Sequence, residues 1–213
     1  MTAKPEGLFS AIFRTIKTAK ETVAEGADLL AKLATDSEVL SQVPVISTAV
    51  KVLNIKDTFA RHRLERNVKA FLMAVENSDS QAIDDLRELI QSDPDFANDF
   101  TDTVLSILLE GQKPLKSELV GRLVLALSLK NITLKEFESL SQIVQAAATP
   151  SLRALQSFFA LTGGLPYKRG MTQIAEEPLL FSLGIAYRSG TMFRISAYGE
   201  KLYVYGFGGR IST

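Results

Sequence analysis

The stretch SLGIAYRSGTMFRISAYGEKLYVYGFG, residues 182–208, decides how this chain is read, because almost everything before it patterns as helix. Ser189, Gly190 and Thr191 stand between two short runs of β-prone residues, which is the signature of a hairpin. Two registers compete. A turn of Ser189 and Gly190 alone pairs Tyr187 with Met192 and Ile185 with Arg194, mixing apolar and charged side chains on one face. A loop of Ser189, Gly190 and Thr191 pairs Tyr187 with Phe193 and Ile185 with Ile195, leaving Ala186, Arg188, Met192 and Arg194 on the other face. The segregated register is the expectation. It makes Arg188 and Arg194 project together from a ribbon whose back is packed. Ser196 then caps a closing helix that Gly206 ends.

Working back toward the N-terminus, a capping box of Thr133 and Glu136 opens a helix to about Ala148, and Thr149 with Pro150 opens another that stops at Gly163 and Gly164. Residues 114–131, PLKSELVGRLVLALSLKN, become apolar on all sides in their second half, as expected of the central helix of a bundle. Asp93 caps the helix before it, with Pro94 at the first position and Gly111 just past the end. Residues 57–77 are helical, with Phe59, Val68, Phe71, Leu72 and Val75 as the expected buried stripe and Arg61, Arg63, Arg66 and Lys69 on the outer surface. Pro44 interrupts residues 37–55, so a short helix is expected to end before it and a new one to start near it. The first periodic segment, about 8–33, sets Phe9, Ile12, Phe13 and Ile16 opposite Arg14, Lys17 and Lys20.

These patterns predict a mostly α protein: a helical bundle over 1–132, then a small winged-helix-like α+β module over 133–213 with one β-hairpin. The order Leu179-Leu180-Phe181-Ser182-Leu183-Gly184-Ile185, a hairpin, then Ile195-Ser196 with Gly199 and Leu202 resembles the end of a winged-helix domain. That resemblance implies a recognition helix within 171–183 and DNA as a partner. Pro178 falls at the middle of such a helix, and GGLPYKRG, 163–170, is a long glycine-rich connection with Lys168 and Arg169 exposed on a turn. The overall order, VPVISTAVKVL, a basic helix, an acidic helix pair, ITLKEFESLSQIV and this C-terminus, resembles uncharacterised helical proteins of bacteria and their prophages. It implies that kind of origin, with phage defence or exclusion as a setting.

Composition narrows the chemistry. The 24 Lys and Arg balance 24 Asp and Glu, so the surface as a whole is not built for nucleic acid or anionic lipid. The charge is segregated, however. Residues 1–75 carry 11 basic and 8 acidic residues, 76–149 carry 6 and 13, and 150–213 carry 7 and 3. With no cysteine, thiolate zinc sites, disulfides and cysteine nucleophiles are excluded, and a reducing cytoplasm is the expected compartment. Arg14, Lys17 and Lys20 interrupt any signal-peptide core, and the uncharged run 39–50 is too short to span a bilayer.

His62 is the single histidine and stands among arginines, so it reads as a surface residue with no metal or triad role. Asp84, Asp85, Glu88, Asp93, Asp95, Asp99 and Asp102 lack ion-binding loop spacing and read as a solvated face. No catalytic residue, metal or cofactor is expected. The candidates are instead surfaces: Arg188, Arg194, Lys168 and Arg169 in the C-terminal module, and Arg61, Arg63, Arg66 and Lys69 on one helix, for a partner or nucleic acid. Phe9, Ile12, Phe13 and Ile16 are the candidates for membrane or oligomer contact. The expected function is a non-enzymatic accessory protein that binds a macromolecular partner, most readily a protein. The alternatives are a DNA-binding winged-helix regulator, and a peripheral membrane or pore-forming effector.

Overall fold

The structure, a computed structural model, describes residues 11, 12, 14, 44–52, 55–75 and 80–212. These form nine α-helices and one three-stranded antiparallel sheet, and the chain divides into two compact units, Met1–Ile132 and Thr133–Thr213.

The first unit contains α1 (Pro44–Val52), α2 (Thr58–Val75), α3 (Ser80–Gln91), α4 (Pro94–Glu110) and α5 (Pro114–Ser128). Helix α5 buries Leu119, Val120, Leu123, Val124 and Leu127, as its all-round apolar pattern predicts. It lies directly on α2 because Gly121 has no side chain: a Cβ there would sit 2.8 Å from the Ala74 Cβ and 2.8 Å from the Phe71 carbonyl oxygen. Among the N-terminal candidates, Ile12 is buried beside Ala11, and Arg14 is exposed. Phe9, Phe13 and Ile16 lie outside the described residues.

Phe59 departs from expectation. It is 86% exposed, whereas Leu64, Val68, Phe71, Leu72 and Val75 are buried. The geometry of a helix explains this. At 3.6 residues per turn, the nine positions from Phe59 to Val68 carry the chain roughly 180° beyond whole turns, so Phe59 faces away from the stripe.

Helix α4 starts where its sequence says: the Asp93 carboxylate accepts the Phe96 N–H at 3.1 Å, with Pro94 in the first turn. Its other end is closed by a different element. Asn67 of α2 is fully buried, and its Nδ2 donates to the carbonyls of Leu108 at 2.9 Å and Gly111 at 2.7 Å. Gly111 has φ −55°, so it is not a left-handed cap; a Cβ there would meet the Ile107 carbonyl at 2.6 Å. Helix α5 ends with Lys130 at φ 59°, where the Lys130 N–H donates to Leu127 and the Asn131 N–H to Ala126. This is a Schellman closure with lysine in the place that favours glycine.

The second unit contains α6 (Leu134–Ala146), α7 (Thr149–Leu161), β1 (Tyr167–Arg169), α8 (Glu176–Ser182), β2 (Ala186–Ser189), β3 (Met192–Ile195), α9 (Ala197–Lys201) and a π-helical turn, Leu202–Gly206. Both halves of the capping box at Thr133 and Glu136 are present. Ser196 accepts the Gly199 N–H as the cap of α9. Phe193 centres the core, 5.3 Å from the Phe158 ring and 5.2 Å from the Phe181 ring. Phe159 and Tyr203 stack at 3.8 Å.

Here the structure corrects the sequence reading in three places. The segment expected as a glycine-rich turn contains β1, so the hairpin is part of a sheet with strand order β1-β3-β2. The hairpin register is shifted by one: Ala186 pairs with Ile195, Tyr187 with Arg194, Arg188 with Phe193 and Ser189 with Met192. The loop is therefore Gly190 and Thr191, and Gly190 takes φ 59° at the first loop position, where glycine is favoured in two-residue hairpins. Finally, Pro178 lies in the first turn of α8, where its missing N–H costs nothing, and not in the middle of a helix. A helix-turn-helix joins its helices by three or four residues. In this unit residues 162–175, including β1, separate α7 from α8, and a helix of seven residues leads into the hairpin.

Candidate functional site

Directly paired residues on neighbouring antiparallel strands share a face, and alternate residues along each strand do the same. The register thus sorts the sheet into two faces without ambiguity. The inner face carries Lys168, Phe193 and Arg188 in one row and Ile195 with Ala186 in the next. The outer face carries Tyr167, Arg194 and Tyr187 in one row and Arg169, Met192 and Ser189 in the next. Arg188 and Arg194, expected to project together, lie on opposite sides of the sheet.

The inner face has a charge at its centre. Glu177 of α8 is fully buried, and its Oε2 accepts from Arg188 Nη2 at 2.6 Å. Lys168 Nζ lies 3.9 Å from Oε1 and donates to the Thr172 carbonyl. Oε1 has no hydrogen-bond partner among the described residues. Two cations that the sequence offered for a partner are therefore used internally: they neutralise one carboxylate and tie β1 and β2 to α8.

The outer face holds the other two. Arg169 and Arg194 are exposed, and neither makes an ion pair among the described residues. Their guanidinium carbons lie 6.0 Å and 5.9 Å from the centroid of the Tyr167 ring. At that distance the ring quadrupole attracts both cations and limits their wandering. Across the sheet Tyr187 is 47% exposed. The result is a flat patch of two tyrosines and two uncompensated guanidiniums, able to take an anion and a planar or apolar group side by side.

On α2 the basic residues are engaged otherwise. Arg61 pairs with the buried Glu65 at 3.1 Å, and His62 lies 3.3 Å from the same carboxylate. Arg66 donates to the Gln112 carbonyl at 2.8 Å, stapling α2 to the connection between α4 and α5. Arg63 and Lys69 are half-buried, with the Arg63 Nε enclosed. Arg61 and Arg66 are thus engaged within the first unit.

A shallow cavity of about 350 Å³ in the first unit is lined by Asp85, Leu86, Glu88, Ser92, Leu127, Ser128 and Lys130. Asp85 accepts from Gln81 Nε2 at 2.7 Å. Among the described residues no group of three or more His, Cys, Asp and Glu is placed to hold a metal ion, and no helix is long and apolar enough to cross a membrane.

Tyr187, which the side-chain pattern places on the packed face with Phe193, lies on the outer face beside Arg194, and Tyr167 carries no such signal in the sequence. Reading Tyr167-Lys168-Arg169 required knowing that β1 is a strand. Comparison of the chain with protein-family models, curated proteins and solved structures returned no match. What fold and site define is a mostly α chain whose second unit presents a small antiparallel sheet with a cationic, aromatic outer face.

Proposed function

We propose that this chain is a non-enzymatic binding protein that holds an anionic macromolecular partner on the outer face of its C-terminal sheet. One observation carries the reading: Arg169 and Arg194 stand on an exposed face without a carboxylate partner among the described residues, both drawn to Tyr167. Every other well-placed cation of that unit's sheet is neutralised, since Lys168 and Arg188 share Glu177. A guanidinium left unpaired on a rigid strand is ready for carboxylate or phosphate, and strands hold such groups more firmly than loops. The lack of cysteine fits a cytoplasmic setting.

Retention on immobilised heparin tests this. The wild-type chain is expected to elute at higher salt than the Arg169→Ala, Arg194→Ala double variant, with unchanged helical circular dichroism. Equal elution of the two proteins would overturn the reading.

A further inference from the structure

The partner can be narrowed by the chemistry of the whole patch, and this step rests on the binding reading above. We infer that the outer sheet face binds single-stranded nucleic acid, with a base on Tyr187 and phosphates on Arg194 and Arg169.

Three features point there together. First, the cations: Arg169 and Arg194 share a face with no acidic side chain in either row, so the complementary ligand is an anion. The second unit as a whole carries eight Lys and Arg against five Asp and Glu. Second, the rings: Tyr187 and Tyr167 flank Arg194 on adjacent strands, so they stand about 10 Å apart, two strand spacings, with a guanidinium between them. Tyr167 is occupied by the two arginines, while Tyr187 has no ring or cation partner among the described residues and is the freer stacking surface. Third, the flatness: these groups lie on the face of the sheet and not at its tip. The hairpin tip, Ser189, Gly190 and Thr191, carries no cation.

Each alternative leaves part of this unused. A duplex groove accepts a helix or a protruding ribbon and offers no unstacked base to a tyrosine. An acidic peptide satisfies the guanidiniums but gives the tyrosine ring no planar partner. A single strand supplies phosphates and bare base faces at once, and stacking on an aromatic residue is tolerant of sequence.

The test is fluorescence anisotropy with the full chain and three labelled probes of equal length: an oligothymidylate, an abasic oligonucleotide with the same phosphates, and oligoglutamate. Four proteins are compared: wild type, Tyr187→Phe, Tyr187→Thr, which keeps strand propensity, and the Arg169→Ala, Arg194→Ala double variant. Thermal melts confirm that each is folded. The expected pattern is tightest binding to oligothymidylate, retained by Tyr187→Phe and weakened about tenfold by Tyr187→Thr. The abasic probe is expected to bind more weakly and to ignore Tyr187→Thr. Removing both arginines should flatten the salt dependence, by about 1.4 in the slope of log affinity against log salt for two phosphates. Equal affinity for oligothymidylate and the abasic probe overturns nucleobase recognition and leaves the anionic-partner reading standing. Tighter binding to oligoglutamate assigns the face to an acidic protein and likewise overturns it. Binding to none of the three, together with unaltered heparin elution of the double variant, removes both readings.

Discussion

Arg188 reaches across the inner face of the C-terminal sheet and places Nη2 2.6 Å from Oε2 of Glu177, a carboxylate with no solvent exposure. This pair is why the hairpin register differs from the one its side-chain pattern favours. A charged residue on a packed face is costly unless a partner waits there. The partner comes from α8, eleven residues earlier, and its position is not visible in a strand pattern.

Breaking that pair is expected to be severe. Glu177→Gln leaves Arg188 and Lys168 without their anion, and Arg188→Met leaves a buried carboxylate with only Lys168 at 3.9 Å. Each should lower stability by about 3–5 kcal/mol in urea unfolding, whereas the Glu177→Leu, Arg188→Met double variant should recover most of the loss. A Glu177→Leu, Arg188→Met variant no more stable than Arg188→Met alone would overturn this.

A second ion pair predicts an acid limb. Glu136 closes the capping box and also accepts from Lys201 of α9, and these contacts hold its carboxyl below the ordinary carboxylate range, the Lys201 hydrogen bond contributing most. A lowered folded-state pKa means stability that is fully present above the unfolded value, about 4.3, and is lost as pH falls through the lower folded one. Urea midpoints taken between neutral pH and about pH 3 should therefore fall less steeply for Lys201→Met than for wild type. Parallel pH profiles would refute the linkage.

Asn67 acts as a cap supplied from a different helix. Replacing it with leucine leaves the carbonyls of Leu108 and Gly111 without their donor in a buried site. A loss of about 1–3 kcal/mol is expected in chemical denaturation. Asn67→Asp, which removes the donor and adds a charge, should cost more.

Lys130 can be improved upon. It occupies the left-handed region at φ 59° in the closure of α5, where a side chain costs roughly 1–2 kcal/mol. Lys130→Gly is expected to raise the melting temperature, because relief of that strain exceeds the added chain entropy at a helix end. A lower melting temperature would show that the lysine side chain earns its place through contacts.

Much of the helical layer was legible along the chain. Asp93 with Pro94, and Thr133 with Glu136, act within one turn of their own helix, so spacing alone identifies them. The same is true of Ser196, and of the all-round apolar α5. Phe59 was misplaced for an equally local reason, since it lies on the far side of α2 from Val68. The outer-face site was hidden more deeply. Strand β1 is three residues long, too short for a periodicity to show, and it exists as a strand through its pairing with β3.

By itself, then, the sequence determined the elements whose stabilising contacts span a few residues: helix starts, the hairpin's existence, the closing helix, and the exclusion of thiol chemistry. Only the tertiary structure decided which arginine faces solvent. One carboxylate on α8 draws Lys168 and Arg188 inward, the pleat then turns Arg169 and Arg194 outward, and that assignment follows from contacts between elements far apart in the chain.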